Sequence, residues 1–384
     1  NSGGTQHESI RADAISAMRQ ASNKPWDVSH GPQPQWTVVG PLTTAGRVRC
    51  VVVHPTNADI AYIGAAAGGV WKTTDAGASW QALMDDANGI AMGALAMDPR
   101  NPNVLWAGTG EPVRRISSTY LGCGLLRSSD GGATWQPAGL ATVGSFSRII
   151  VHPARPSLIM AAAMNTDAGV WRSTDEGSSW QRVFDGQAYD LTTNPDNPDE
   201  FFVAIPDSGI YRTIDGGATW QRRMNGIDGS IGRTSVQQAP SEPSTLYALV
   251  ERGTIWKSTN SGESWSNLYE ATNGCFFAGN CLEAESQGFY NSFVAIHPTN
   301  PNICLIGGID IWRTNDGRTF DNLTRGYERG RPMGPVHVDQ HAAAFAPSNP
   351  DVVYEGNDGG MVRSTDAGQT WSVINNGLAI TQFY

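Results

Sequence analysis

The chain has 384 residues, a formal net charge of −10 and only 16% charged residues, against 44 glycines, 22 prolines and 13 tryptophans. That balance lacks the Lys/Arg-rich face a nucleic-acid backbone requires, and no apolar run approaches the roughly 20 residues of a membrane-spanning helix. A lightly charged, glycine-punctuated, aromatic chain fits many short strands joined by tight turns, and excludes a helical bundle, a disordered chain or collagen.

The chain opens at Asn1 rather than Met, as a processed or trimmed product would, and a disulfide between Cys275 and Cys281 would call for an exported protein, secreted or periplasmic. Residues 6–21 (QHESIRADAISAMRQA) space Ile10, Ile15 and Met18 in an alanine-rich setting, so a short helix is predicted within an N-terminal extension covering 1–33. PQWTVVG (34–40) then reads as a short strand. From there to residue 384 the sequence repeats itself. An apolar strand, a proline-containing turn and a second strand recur in VVVHPTNADIAYIG (51–64), LAMDPRNPNVLWAG (95–108), VAIHPTNPNICLIG (294–307) and AAFAPSNPDVVYEG (343–356).

A second phrase follows a further apolar run in each unit. It stands as TTDAGASW ending at Trp80, SSDGGATW at Trp135, STDEGSSW at Trp180 and TIDGGATW at Trp220. It returns as STNSGESW at Trp265, a shortened TNDGRTF at Phe320 and STDAGQTW at Trp371. The acidic or amide position falls at Asp75, Asp130, Asp175, Asp215, Asn260, Asp316 and Asp366, at intervals of 40 to 56 residues. Four strands per unit, seven times over, define an all-β fold, a single seven-bladed β-propeller at 34–384. LAITQFY (378–384) is strand-like and lies outside the repeats, so either it or PQWTVVG is expected to extend a blade and latch the ring. The chain's stop at Tyr384 leaves room for a longer parent.

Within the repeated phrase the Asp or Asn is suited to accept main-chain N–H groups across a turn, the Gly permits positive φ, and the terminal Trp is expected between blades. Seven copies of one carboxylate make a turn clasp, not seven active sites. Ser/Thr-x-Asp-x-Gly-x-Thr-Trp resembles the Asp-box, or bacterial neuraminidase repeat. Over about 36–384 the chain is similar to Asp-box propellers, a group of glycoside-hydrolase-like and sortilin-like members. It includes sialidases, xyloglucan hydrolases with paired propellers, sortilin-type receptors and a photosystem II assembly factor. The motif speaks for the scaffold, and function has to be read from the loops.

The Asp boxes join third to fourth strands on one face of the ring. Three long insertions emerge on the other: GTGEPVRRISSTYLGCG (108–124), the connection 268–290, and TRGYERGRPMGPVHVD (324–339). Long loops on a rigid scaffold are where function concentrates. There, PVHVDQHAAAF sets His337, Asp339 and His341 at alternate positions, sharing one side if on a strand. EGNDGG adds Glu355 and Asp358, the first insertion adds Glu111, Arg114, Arg115 and Tyr120, and Arg47 and Tyr290 stand at the heads of inner strands.

Three readings fit these residues. His337, Asp339 and His341 have the chemistry of a metal site. Glu111 with Asp339 or Asp358 supplies the two carboxylates of a glycosidase, with Arg47, Arg114, Arg115, Tyr120, Tyr290, His337 and His341 around the substrate. Alternatively, His337, Asp339 and Asp358 knit the last blade to the first.

The resemblance implies a polysaccharide or glycoprotein ligand, or a protein partner in the receptor-like and assembly-factor-like members, and no cofactor. It also implies a departure. The xyloglucan hydrolases carry a catalytic Asp two residues before a Gly-Gly in blade one, and GAAAGGVWK puts Ala66 there. No sialidase-type Arg-Ile-Pro phrase is present, and Arg47, Arg114 and Arg233 match an arginine triad by type only. Exposed aromatics that would line a sugar site are Tyr120, Phe276, Phe277, Tyr290 and Tyr327. Cys275 and Cys281 bracket a short loop, either as a disulfide or as two thiols, whereas Cys50 and Cys304 read as buried thiols.

Overall fold

The computed structural model describes residues 44–85, 87, 90–113, 120–229, 231–270, 287–326 and 334–381. These form 28 strands in seven antiparallel sheets, each of four strands consecutive in sequence. The blades run at 48–82, 92–137, 145–185, 190–222, 234–270, 293–322 and 340–373. The first strands of neighbouring blades lie against one another and surround the axis. The predicted helix at 6–21, the strand at 34–40 and the Cys275–Cys281 loop lie outside the described residues.

A blade one sheet thick cannot cover both of its faces, so the core is divided among the interfaces. Seven apolar clusters occupy the seven blade–blade contacts, from Ile63 and Tyr354 where blade 7 meets blade 1 to Phe293 and Val353 between blades 6 and 7. Alternate residues of each middle strand feed opposite clusters. In blade 3, Ala161 and Ala163 face blade 2, while Met160 and Ala162 face blade 4.

The repeated phrase does what its residues predict. In the first box Asp75 Oδ1 accepts from the Thr73 hydroxyl at 2.8 Å and the Ser79 N–H at 2.9 Å, and Oδ2 accepts the Ser79 hydroxyl at 2.6 Å. Asn260 reproduces the clasp with its amide, donating to Ser264 Oγ at 2.9 Å. Gly177, at φ 82°, shows why the glycine is needed: a β-carbon there would lie 2.2 Å from the Trp106 ring. Six clasps aim a tryptophan at the blade before, and the sixth box does so with Phe320. Trp135, Trp180 and Trp265 donate their indole N–H to the carbonyls of Leu83, Ala138 and Arg223 at 3.1, 2.9 and 3.0 Å.

Of the two segments expected to latch the ring, 34–40 and 382–384 lie outside the described residues. Residues 378–381 join no strand, so over its described part LAITQFY does not extend a blade. Instead Leu378 and Ile380 are buried in the blade 7–blade 1 cluster, and the Thr381 hydroxyl donates to the Ala45 carbonyl at 3.1 Å. The seam uses the same bond as the other joints: Trp80 donates to the Ile374 carbonyl at 2.6 Å. Among the described residues the seam packs two four-stranded sheets, each made of consecutive strands. Cys50 and Cys304 are buried free thiols, as read from the sequence.

Trp80 is only 8% exposed and plugs that seam. Trp80→Ala is expected to lower stability by about 3 kcal/mol or more, the usual cost of emptying a large aromatic site. Chemical denaturation of the variant checks this, and a loss below about 1 kcal/mol would show the seam is held elsewhere.

Candidate functional site

An axial cavity of about 60 Å³ is lined by residues at or just before each blade's first strand, among them Arg49, Gly93, Ser147, Tyr189, Ser235, Ser292 and His341. Gly93 is required by crowding, since a β-carbon there would sit 2.0 Å from the Phe146 carbonyl oxygen. Just ahead of these, where the chain enters the first strands, stand Arg47, Arg233, Tyr290 and Asp339. This is the rim of the channel on the face opposite the Asp boxes.

Arg47 is the hub of the rim. Its Nη1 meets Glu111 Oε1 at 2.7 Å and its Nε meets Asp358 Oδ1 at 3.0 Å, so blade 1 ties blade 2 to blade 7. Burial works against its charge, but those two carboxylates hold it more firmly protonated than an ordinary arginine. The guanidinium also lies over the Tyr290 ring, 5.0 Å from its centroid. Asp358 receives two further hydrogen bonds, from His341 Nε2 at 2.6 Å and the Tyr290 hydroxyl at 2.7 Å. Burial alone would lift its pKa, yet His341 and Arg47 hold the carboxyl well below the usual range.

His341 is neutral by geometry. Arginine only donates, and Arg49 Nη1 lies 2.6 Å from His341 Nδ1, so that nitrogen accepts and Nε2 carries the proton given to Asp358. Burial, then the Arg49 charge, push the imidazole down to about 3.

Asp339 is different. It is partly exposed, has φ of 68°, and accepts one hydrogen bond, from Asn291 Nδ2 to Oδ1 at 2.7 Å. A non-glycine residue in the left-handed region is held there by its surroundings: its N–H donates to the Ile309 carbonyl and its carbonyl accepts from Asp358. Burial, and after it the Asp358 charge, push its carboxyl up to about 6. Two neighbouring carboxyl groups therefore sit in opposite states, one ionised and saturated, the other protonable near neutrality.

The other expected residues divide clearly. Glu111 is buried and committed to Arg47, with Arg49 Nε at 3.8 Å. Tyr120 is 40% exposed, and its carbonyl accepts the Glu111 N–H. His337 turns Nδ1 to the Val338 carbonyl at 2.9 Å. Arg114, Arg115, Phe276, Phe277 and Tyr327 lie outside the described residues. His337, Asp339 and His341 do not act as one side of a strand, because the strand begins at Gln340 and a bulge interrupts it before Ala342. Both His341 nitrogens are spent, and among the described residues no group of His, Cys, Asp or Glu is arranged to hold a metal. Ala66 is buried with its N–H on the Arg47 carbonyl at 3.0 Å, so the alanine stands beside the rim.

Sequence reading missed Arg49 and Asn291. Arg49 follows Arg47 by two positions, a spacing that on a first strand points down the same wall, and Asn291 adjoins Tyr290 at a strand head. Glu355 was noticed but has another part: it is fully buried, its Oε2 accepts from Asn357 Nδ2 at 2.8 Å, and its Oε1 has no partner.

The chain is thus a seven-bladed β-propeller with an Asp clasp in its blades and a charged rim at one end of its axis, similar to glycoside-hydrolase-like and sortilin-like propellers. Residues 168–305 match the family Sortilin-Vps10, described as sortilin, neurotensin receptor 3. The chain is 26% identical over 350 residues to a xyloglucanase of Hypocrea jecorina, covering 86% of this chain and 38% of that protein. Among solved structures, the Niastella koreensis GH74 enzyme overlays with a TM-score of 0.63 at 18% identity, over 86% of this chain and 54% of that one. YCF48 bound to D1 peptide overlays at 0.56 with 16% identity, over 84% of this chain and 94% of that one. The chain thus spans about half or less of these two glycoside hydrolases, and nearly all of YCF48. No helix among the described residues is long and apolar enough to cross a membrane.

Burial lifts the Glu355 carboxyl well above its ordinary range. Below that range it is protonated in both folded and unfolded chains; as pH rises, the unfolded chain releases the proton first, so stability falls. Glu355→Gln, which keeps an oxygen for Asn357, is expected to match the wild type in mild acid and exceed it increasingly toward pH 8. Thermal unfolding across pH checks this; parallel curves would refute it.

Proposed function

We propose that the chain acts on a polysaccharide at the channel rim, with Asp339 as the proton donor. The observation that carries this is the unequal pair: Asp339 protonable near neutrality beside an Asp358 that stays ionised. Glycosidic cleavage needs an acid to protonate the leaving oxygen and negative charge near the developing oxocarbenium centre. Asp339 fits the first role. Asp358, held by Arg47, His341 and Tyr290, is too well satisfied to be a strong base and fits the second. Glu111 acts through Arg47, as a positioning residue. Similarity to xyloglucanases supports a polysaccharide substrate, and Tyr120 offers aromatic surface for a sugar ring, whereas Tyr290, expected to be exposed, is buried against Arg47 and His341. The same reading places the protein outside the cytoplasm, where polysaccharides lie.

A second reading rests on length. The overlay with YCF48 accounts for nearly all of that protein, which binds a peptide, whereas the xyloglucanases extend far beyond this chain. A single propeller used as a protein-binding scaffold would need the rim as a surface and no proton transfer.

Hydrolysis of a polysaccharide panel including xyloglucan separates the two. Wild type is expected to release reducing ends with a rate that falls as pH rises through about 6, because the proton on Asp339 is lost there. Asp339→Asn is expected to lower kcat about a hundredfold or more with little change in KM. Absence of turnover on every glycan would remove the hydrolytic reading and leave the scaffold.

A further inference from the structure

Two chain neighbours in the turn that leads into blade 6 address the two rim aspartates separately. The Tyr290 hydroxyl donates to Asp358 Oδ2 at 2.7 Å, and Asn291 Nδ2 donates to Asp339 Oδ1 at 2.7 Å. The turn itself is pinned. The main-chain N–H groups of Tyr290 and Asn291 share the Gln287 carbonyl, and Arg233 Nη1 holds the Phe289 carbonyl at 2.9 Å. Asn291 is fully buried, and its Oδ1 has no hydrogen-bond partner.

A buried acceptor with nothing to accept is costly, and an apolar side chain at 291 would remove that cost. What asparagine supplies in return is the other half of its amide, the N–H on Asp339. That bond settles the chemistry of both carboxyl oxygens. Oδ1 faces a donor, so a proton placed on it would meet the amide hydrogen head on. Oδ2 has no hydrogen-bond partner among the described residues, and Asp339 is partly exposed. The proton of the neutral acid therefore belongs on Oδ2. Once it is given up, the Asn291 N–H stabilises the carboxylate left behind, because a hydrogen bond to an ionised acceptor is roughly twice as strong as a neutral one.

We propose that Asn291 is the positioning residue of the acid: it holds Asp339 by Oδ1, directs the transferable proton to Oδ2, and receives the carboxylate after transfer. Its part in cleavage rests on the polysaccharide reading above; its hold on the Asp339 proton does not. In cleavage the Oδ2–H bond breaks as the proton joins the glycosidic oxygen, which leaves with the electron pair of its bond to the anomeric carbon. Water then gives its hydroxyl to that carbon and its proton back to Asp339. Other groups bear on the same carboxyl. Burial and Asp358 favour its neutral form, while His337, Asn291 and Arg47 favour the ionised one. Among the described residues, Asn291 is the one that hydrogen-bonds its side chain.

The test is an NMR titration of the intact chain, isotopically labelled at its aspartate carboxyl carbons, with the Asp339 signal assigned by its absence in Asp339→Asn. In wild type that signal is expected to titrate at about pH 6. In Asn291→Leu, which keeps the branching without the donor, the midpoint is expected to rise by about one pH unit, a change of about tenfold in proton affinity. Asn291→Gln keeps the amide on a longer arm and is expected to fall between, a graded result that lost packing would not give. Where wild type cleaves a glycan, the fall of kcat at high pH is expected to move up with the midpoint, with KM little changed. An unmoved midpoint in whichever of the two variants folds would overturn the proposal. A raised midpoint with no turnover of any glycan by wild type would uphold the hold on the proton and discard the hydrolytic reading. Turnover whose pH limb ignores a raised midpoint would overturn the part in cleavage and remove Asp339 as the acid.

Discussion

Everything in this molecule depends on one joint made over and over, in which a blade turns an aromatic residue from its Asp box into the blade before it. A four-stranded sheet with both faces apolar is not stable alone, and only a closed ring removes the last uncovered face. The Asp clasp fixes the turn, the turn fixes the ring, and the Trp80, Trp135, Trp180 and Trp265 indoles hydrogen-bond a carbonyl of the preceding blade. In those four joints burial satisfies the indole's one polar atom at the same stroke, whereas the buried Nε1 of Trp220 and of Trp371 has no hydrogen-bond partner.

That rigidity is what permits the rim to hold charges so densely. Arg47, Arg49, Glu111, His341 and Asp358 come from blades 1, 2 and 7, and their ion pairs would be weak on mobile loops. On the ends of packed strands they are prearranged, and the geometry assigns each proton: His341 neutral, Asp358 ionised, Asp339 able to carry a proton near pH 6. Environment separates the two aspartates, which are chemically identical in the sequence.

The fold was legible because it is written seven times. Composition pointed to strands, and the phrase from Thr73 to Trp80 with its six echoes counted the blades. The rim was legible in part. Insertions that break the repeat led to Glu111, Asp339, Asp358 and Tyr290, and these do converge, with Arg47 among them. Alternation failed at His337, Asp339 and His341 because a bulge and a positive φ are backbone events that side-chain spacing does not announce. Over 378–381 the strand-like pattern misled for a related reason. LAITQFY has the apolar pattern of a strand, but Leu378 and Ile380 use it to fill a cluster, and hydrophobic pattern reports burial before it reports pairing.

The seam has a consequence for the chain's topology. Each blade is one uninterrupted stretch of sequence, and Ala45 and Thr381 touch where the ring closes. The point at which the polypeptide is cut is therefore independent of the architecture. A circular permutant opened between blades 3 and 4 keeps every sheet and every tryptophan joint intact. The ring is an order of neighbours with no privileged beginning, and blades can be gained, lost or renumbered in ancestry without rebuilding a single sheet.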